Sequence, residues 1–146
     1  MSAVQRVAQI FGIGFLLVAL AGLIASGTNG DPHVLTAPRA LWLFPVNLLH
    51  NLVHLVFGAW GLIAARSFRA SRSYAQVTGV LYILLAVLGF VAPDGFGMMP
   101  LGGNDILLHA LLGIPLAIVG FTARDRVAEA MSNAAEGEAR TGERRV

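Results

Sequence analysis

The stretch Leu43-Phe44-Pro45-Val46-Asn47-Leu48-Leu49-His50-Asn51-Leu52-Val53-His54-Leu55-Val56-Phe57-Gly58 decides how this chain is read. It is continuously apolar apart from Asn47, His50, Asn51 and His54. Asn47, Asn51, His54, Gly58, Gly61 and Ala65 follow spacings of four, three, four, three and four residues, with His50 four before His54. At helical periodicity these positions share one face. Inside a membrane, small residues let helices approach closely and polar side chains bond across them. The stretch therefore predicts a membrane-spanning helix over 41–65 whose polar and small residues point into a bundle.

Three further apolar runs flank it: 4–25, 74–92 and 105–123. A bilayer core of about 30 Å requires roughly 20 mostly apolar residues in a helix. Each run is continuous and not alternating, and a spanning backbone must satisfy itself, so helices are expected over strands. The first run is longer than the apolar core of a secretory signal and no soluble domain follows, so it reads as a span. Composition agrees: 56% of the 146 residues are hydrophobic and 12% charged, against roughly 25% charged in soluble domains. The mean hydropathy is +0.72. The expected fold is an all-α, integral membrane four-helix bundle over 1–123. Residues 124–146 form a polar cytoplasmic tail, expected to begin as a short helical extension and continue disordered.

The connections carry the orientation. Segment 26–40 holds the turn formers Gly27, Asn29, Gly30, Asp31 and Pro32, and 93–104 holds Pro93, Gly95, Gly97, Pro100, Gly102 and Gly103. Arg6, the Arg66/Arg69/Arg72 segment and Arg124/Arg126 fall on one side, and Arg39 alone on the other, beside Asp31, Asp94 and Asp105. The positive-inside rule then puts both termini in the cytoplasm of a bacterial inner (plasma) membrane. Trp42 and Phe44 would sit in the outer interfacial belt. The net charge of +2 comes from Arg residues placed between apolar runs and in the tail, which excludes nucleic acid as a partner. The partners expected are the lipid bilayer and a second copy or another membrane protein.

The last apolar run carries its own polar stripe. Asp105 and His109 are four apart, and beside them run Ala110, Gly113, Ala117 and Gly120; Pro115 interrupts the backbone donors. Asn104, Asp105 and His109 thus join Asn47, His50, Asn51 and His54 as one polar cluster in the outer half of the membrane. The leading expectation is structural: Asn and His bond across the bundle, Asp105 caps the fourth helix, and no cofactor is held. The alternative is metal, ion or proton handling. His50/His54 and Asp105/His109 both have the i, i+4 spacing that aims two side chains at one ion, offering three nitrogens and a carboxylate. Intramembrane ionisable groups also mark proton paths. Bis-histidine haem ligation ranks below these. Cysteine is absent, which removes disulfides, thiolate sites and cysteine nucleophiles. No nucleophile–base arrangement is legible, so a non-enzymatic role is expected. His33 reads as a solvated loop residue and Met98 and Met99 as interfacial filler.

These residues carry a resemblance. The stretch from Leu43 to Gly58, with Asn104-Asp105-Ile106-Leu107-Leu108-His109 and Leu112-Gly113, resembles the two hallmarks of the bacterial membrane family called domain of unknown function 4383. The order of four apolar runs is also similar, across about 4–123. Pro45 and the Gly102–Gly103 pair depart from the family pattern. The resemblance implies a four-span inner-membrane protein of unassigned activity, with His50, Asn51, His54, Asp105 and His109 as motif positions.

The Arg distribution predicts that a reporter fused after Val146 works if it needs the cytoplasm and stays silent if it needs the periplasm. The reverse pattern overturns the orientation.

Overall fold

The computed structural model describes residues 1–125 and 130–135. Its elements are α1 (Ala3–Ser26), the strands β1 (Arg39–Ala40) and β2 (Phe44–Pro45), α2 (Leu48–Ala64), α3 (Phe68–Val91), a 3-10 turn at Gly95–Gly97 and α4 (Asn104–Thr122). The chain is all-α, a bundle of four long helices with a two-residue-per-strand hairpin. Three helices, α1, α3 and α4, are long and apolar enough to cross a membrane. Residues 130–135 are helical, and the remainder of the tail expected to be disordered, 126–129 and 136–146, lies outside the described residues.

Local chemistry sets the helix ends, and two differ from expectation. α2 begins at Leu48 and not at 41, so the helix expected to be longest is the shortest, at 17 residues. Leu41 and Trp42 have φ of 51° and 61°, turning the chain into the antiparallel hairpin that pairs Arg39 with Pro45 and Ala40 with Phe44. Residues preceding a proline disfavour helical backbone, and Asn47 then caps the helix by accepting the His50 N–H at 2.9 Å. Conversely, α3 begins at Phe68 and not at 74, because Ser67 caps it by accepting the Ala70 N–H at 3.2 Å. Arg69 and Arg72 therefore lie on helix, where arginine is a good former, and Arg72 Nε donates to the Gly120 carbonyl at 3.2 Å. At the start of α1, Ser2 and Gln5 form a reciprocal capping box.

Glycines decide which helices pair. A Cβ on Gly12 would stand 2.8 Å from the Leu62 backbone nitrogen, and one on Gly61 would stand 2.9 Å from Gly12 Cα. α1 and α2 thus touch backbone to backbone. A Cβ on Gly113 would stand 2.9 Å from the Ile83 nitrogen, and one on Gly120 2.9 Å from the Ala75 carbonyl carbon, so α3 and α4 form a second tight pair. Both small-residue stripes face inward, each against its neighbour in sequence. Phe15, Tyr74, Tyr82 and Ala8 fill the space between the two pairs.

The bundle end that carries the α1–α2 and α3–α4 connections is tied by backbone. Val46 N–H donates to the Pro38 carbonyl at 2.8 Å, Leu48 N–H to Asn29 at 2.8 Å and Leu101 N–H to Pro93 at 2.7 Å. The loops 27–47 and 92–103 thereby form a hydrogen-bonded cap over that end of the bundle.

Not every helical glycine serves packing. A Cβ on Gly14 meets nothing within 4 Å. Gly12→Ala and Gly113→Ala are therefore expected to destabilise the protein by about 1–3 kcal/mol through overpacking. Gly14→Ala should be neutral or stabilising by up to about 1 kcal/mol, since alanine limits the unfolded chain. Unfolding in detergent, followed by circular dichroism, measures all three; equal losses would mean the two pairs are not glycine-tight.

Candidate metal centre

The Asn47 cap places His50 on the first turn of α2 and His54 one turn further, both facing inward. On α4, Gly103 at φ 66° turns the chain into the helix, and Asp105 and His109 follow on successive turns of its buried face. Gly103, not Asp105, occupies the cap position, and it makes no side-chain cap bond. The expected capping role of Asp105 is thus replaced by an inward one: the side chain is buried, in the favourable first turn of the helix.

The two helices meet at these residues. The nearest ligand atoms of His50, His54 and His109 all lie within 4.8 Å of one another. The His50 and His54 ring centroids are 4.7 Å apart, and those of His50 and His109 6.0 Å apart. Asp105 borders the triad, its Oδ2 4.0 Å from His50 Nδ1, too far for a direct hydrogen bond. Two aromatic residues hold the rings in place. Phe15 of α1 stacks on His54 with an interplanar angle of 9°, and Tyr82 of α3 presents itself edge-on to His109 at 5.1 Å. The sequence stripe had no way to assign Phe15, because it lies on a different helix and is apolar.

The three asparagines do not join. Asn47 Nδ2 donates to the Met98 carbonyl at 2.8 Å and belongs to the outer cap. Asn51 donates to Ser26 Oγ on α1 at 2.8 Å, and Asn104 donates to the Leu43 carbonyl at 3.1 Å on the surface. The expected single cluster is thus divided. The asparagine Nδ2 groups donate to backbone carbonyls and a hydroxyl, although Asn51 Oδ1 stays unpartnered, and the imidazoles and carboxylate are left together.

That remainder is unsatisfied. His50 Nδ1, His54 Nδ1, His109 Nδ1 and Asp105 Oδ2 are all buried without a hydrogen-bond partner. Buried polar groups nearly always have partners, and each one without costs about 1–3 kcal/mol. Tetrahedral coordination at about 2.0–2.1 Å places ligand nitrogens about 3.3 Å apart. The ligand atoms of the triad, within 4.8 Å of one another, stand wider than that separation. The residues present therefore suit a divalent ion held by three imidazoles, with Asp105 in reach of the ion or of a group bound to it.

The pattern of the family described as Domain of unknown function (DUF4383) matches residues 5–122. No curated protein and no solved structure matches the chain significantly. The match spans all four helices and every residue of the triad.

The cap over this site has its own polar tie. His33 Nδ1 lies 3.1 Å from Asp94 Oδ2, and the Val34 N–H donates to Asp94 Oδ1 at 2.8 Å. His33 is exposed, as expected of a loop residue, but it is partnered. The hydrogen bond to Asp94 raises the His33 pKa above its ordinary 6.5. The Val34 N–H first, and His33 second, lower that of Asp94. The His33 contribution is complete below its ordinary pKa and is lost as pH rises through the raised value. That of Asp94 is complete above the ordinary carboxyl value and is lost as pH falls through the lowered one. The tie is strongest between those limits. Titration of the His33 ring by NMR should give a midpoint above 6.5, and Asp94→Asn should return it toward that value. An unchanged midpoint in the variant would show that the two side chains do not interact.

Proposed function

We infer that this chain, which belongs to the DUF4383 family, is an integral membrane protein that binds a divalent metal ion of the Zn²⁺ type through His50, His54 and His109. One observation carries the reading: three buried imidazoles converge, each with a ring nitrogen that has no partner. Three nitrogen ligands with a further position open is the donor set of many zinc sites. Asp105 acts beside the ion, either as fourth ligand or as acceptor for a bound water. Asn47, Asn51 and Asn104 tie the cap and helices together.

The membrane setting rests on the helices. α1, α3 and α4 are long and apolar, while α2, at about 1.5 Å per residue, covers only about 25 Å. The hairpin at its outer end supports a fourth span: its strands pair with each other and the Leu43 and Val46 N–H groups bond to Ala40 and Pro38, and non-helical chain is tolerated at membrane depth where its backbone finds such partners. The Arg bias supports cytoplasmic termini and an outward-facing cap in a bacterial inner membrane, with His50 and Asp105 near the outer ends of their helices. A bundle of this kind holds, senses or passes on a metal ion close to the outer surface.

Protein purified in detergent and analysed for metals is expected to carry, or take up on titration, about one divalent ion per chain, with Co²⁺ giving the visible bands of a tetrahedral site. His54→Ala and His109→Ala should abolish uptake, and His33→Ala should leave it intact. Wild-type protein that is folded yet takes up neither Zn²⁺ nor Co²⁺ refutes the reading.

A further inference from the structure

The two glycine-tight pairs leave a crevice where α1 and α4 come near but scarcely touch. It forms an open slot with about 250 Å³ of free space. Its walls are apolar, from Ile10, Gly14 and Val18 on α1 and Leu108 and Leu112 on α4. His54, Asp105 and His109 also line it, each less than a tenth exposed and each with an unpartnered polar atom. The crevice thus connects the lipid-facing surface with the histidine cluster.

We propose that this crevice admits a membrane lipid with a small, uncharged, oxygen-bearing head, and that the head reaches His54, His109 and Asp105 from the bilayer side. The proposal rests on reading the histidine cluster as a ligand site, and it names what the site takes from the membrane. Three features support it. The first is Gly14. Glycine inside a helix is unfavourable relative to alanine, and the other helical glycines of α1–α2 contact, Gly12, Gly58 and Gly61, are required by close backbone approach. Gly14 has open space where a Cβ would stand, so its effect is to keep the crevice unfilled. The second is the polar floor. A hydroxyl or carbonyl oxygen finds imidazole nitrogens and a carboxyl group there, and with an ion in place it takes the coordination position that three histidines leave open. A charged head would shed its hydration in an apolar slot that has no Arg or Lys among its lining residues. The third is size. The slot has about 250 Å³ of free space, enough for several water-sized groups. That is enough for a small head and the first carbons of a chain.

The test uses full-length protein in phosphatidylcholine nanodiscs, with metal content measured on the same samples. Hexadecanol carrying a diazirine beside its hydroxyl end serves as the probe. Photolabelling is expected in peptides covering 10–18 and 105–112. Unlabelled hexadecanol should compete about tenfold better than hexadecane. Gly14→Leu, which fills the crevice, should remove most of the labelling while metal content and melting temperature are retained. Equal competition by hexadecane would identify ordinary boundary lipid and overturn the proposal. Better competition by hexadecanoate would overturn the uncharged head, and labelling that survives Gly14→Leu would overturn the crevice as the site. Stoichiometric metal without competed labelling leaves the metal reading standing and removes this one. Competed labelling in protein that binds no metal does the reverse, with the imidazoles themselves as the head's partners.

Discussion

The Asn47 side chain is the joint on which the capped half of this protein depends. Its Oδ1 accepts the His50 N–H and so defines where α2 starts. Its Nδ2 donates to the Met98 carbonyl in the far loop and to Gly30, at 3.4 Å, in the near one. One buried amide therefore sets the register of a helix and ties that helix to both loops of the cap. An N-cap bond alone is worth about 0.5–2 kcal/mol. Its larger consequence is positional: shifting the start of α2 by one residue would rotate His50 and His54 by about 100° away from α4.

Glycine placement then decides the shape of the space those histidines enter. Close approach of α1 to α2 and of α3 to α4 draws the bundle into two compact pairs. The pairs meet through large side chains: Phe15, Phe57 and Tyr82 pack on one another between them. Small residues within the pairs and large ones between them keep α2 and α4 far enough apart for three imidazoles to stand between the helices. If the two glycine stripes faced each other, no room for the rings would remain. The same arrangement separates α1 from α4 and opens the crevice toward lipid.

The polar groups of the membrane-facing half divide according to what each side chain can bond. Several amide and hydroxyl groups find partners: Ser26 Oγ donates to the Gly22 carbonyl at 2.9 Å and accepts from Asn51 across the α1–α2 contact, and Ser71 Oγ donates to Ala64 at 2.9 Å. Imidazoles have two nitrogens at fixed positions on a rigid ring and cannot fold back on their own helix in this way. They remain in the middle with nitrogens to spare, which is the condition a metal ion or a polar head relieves.

Much of this architecture is determined by the sequence alone. Four continuous apolar runs, the i, i+4 pairs His50/His54 and Asp105/His109, and the glycine stripes follow from periodicity, because a helix places residues on faces by arithmetic. Even the meeting of the α2 and α4 histidines is legible, since two polar faces at similar depth have few other places to go. What periodicity does not contain is which faces meet and where a helix starts. The hairpin at Arg39–Pro45 depends on positive φ at Leu41 and Trp42, which apolar side chains do not announce. The early start of α3 depends on a serine cap inside a stretch that reads as a charged loop. The separation of the asparagines from the histidines, the stacking of Phe15 on His54 and the opening at Gly14 are decided only by the tertiary structure. Each depends on distances between helices, and those are set by the packing of the whole bundle and not by the order of residues along any one of them.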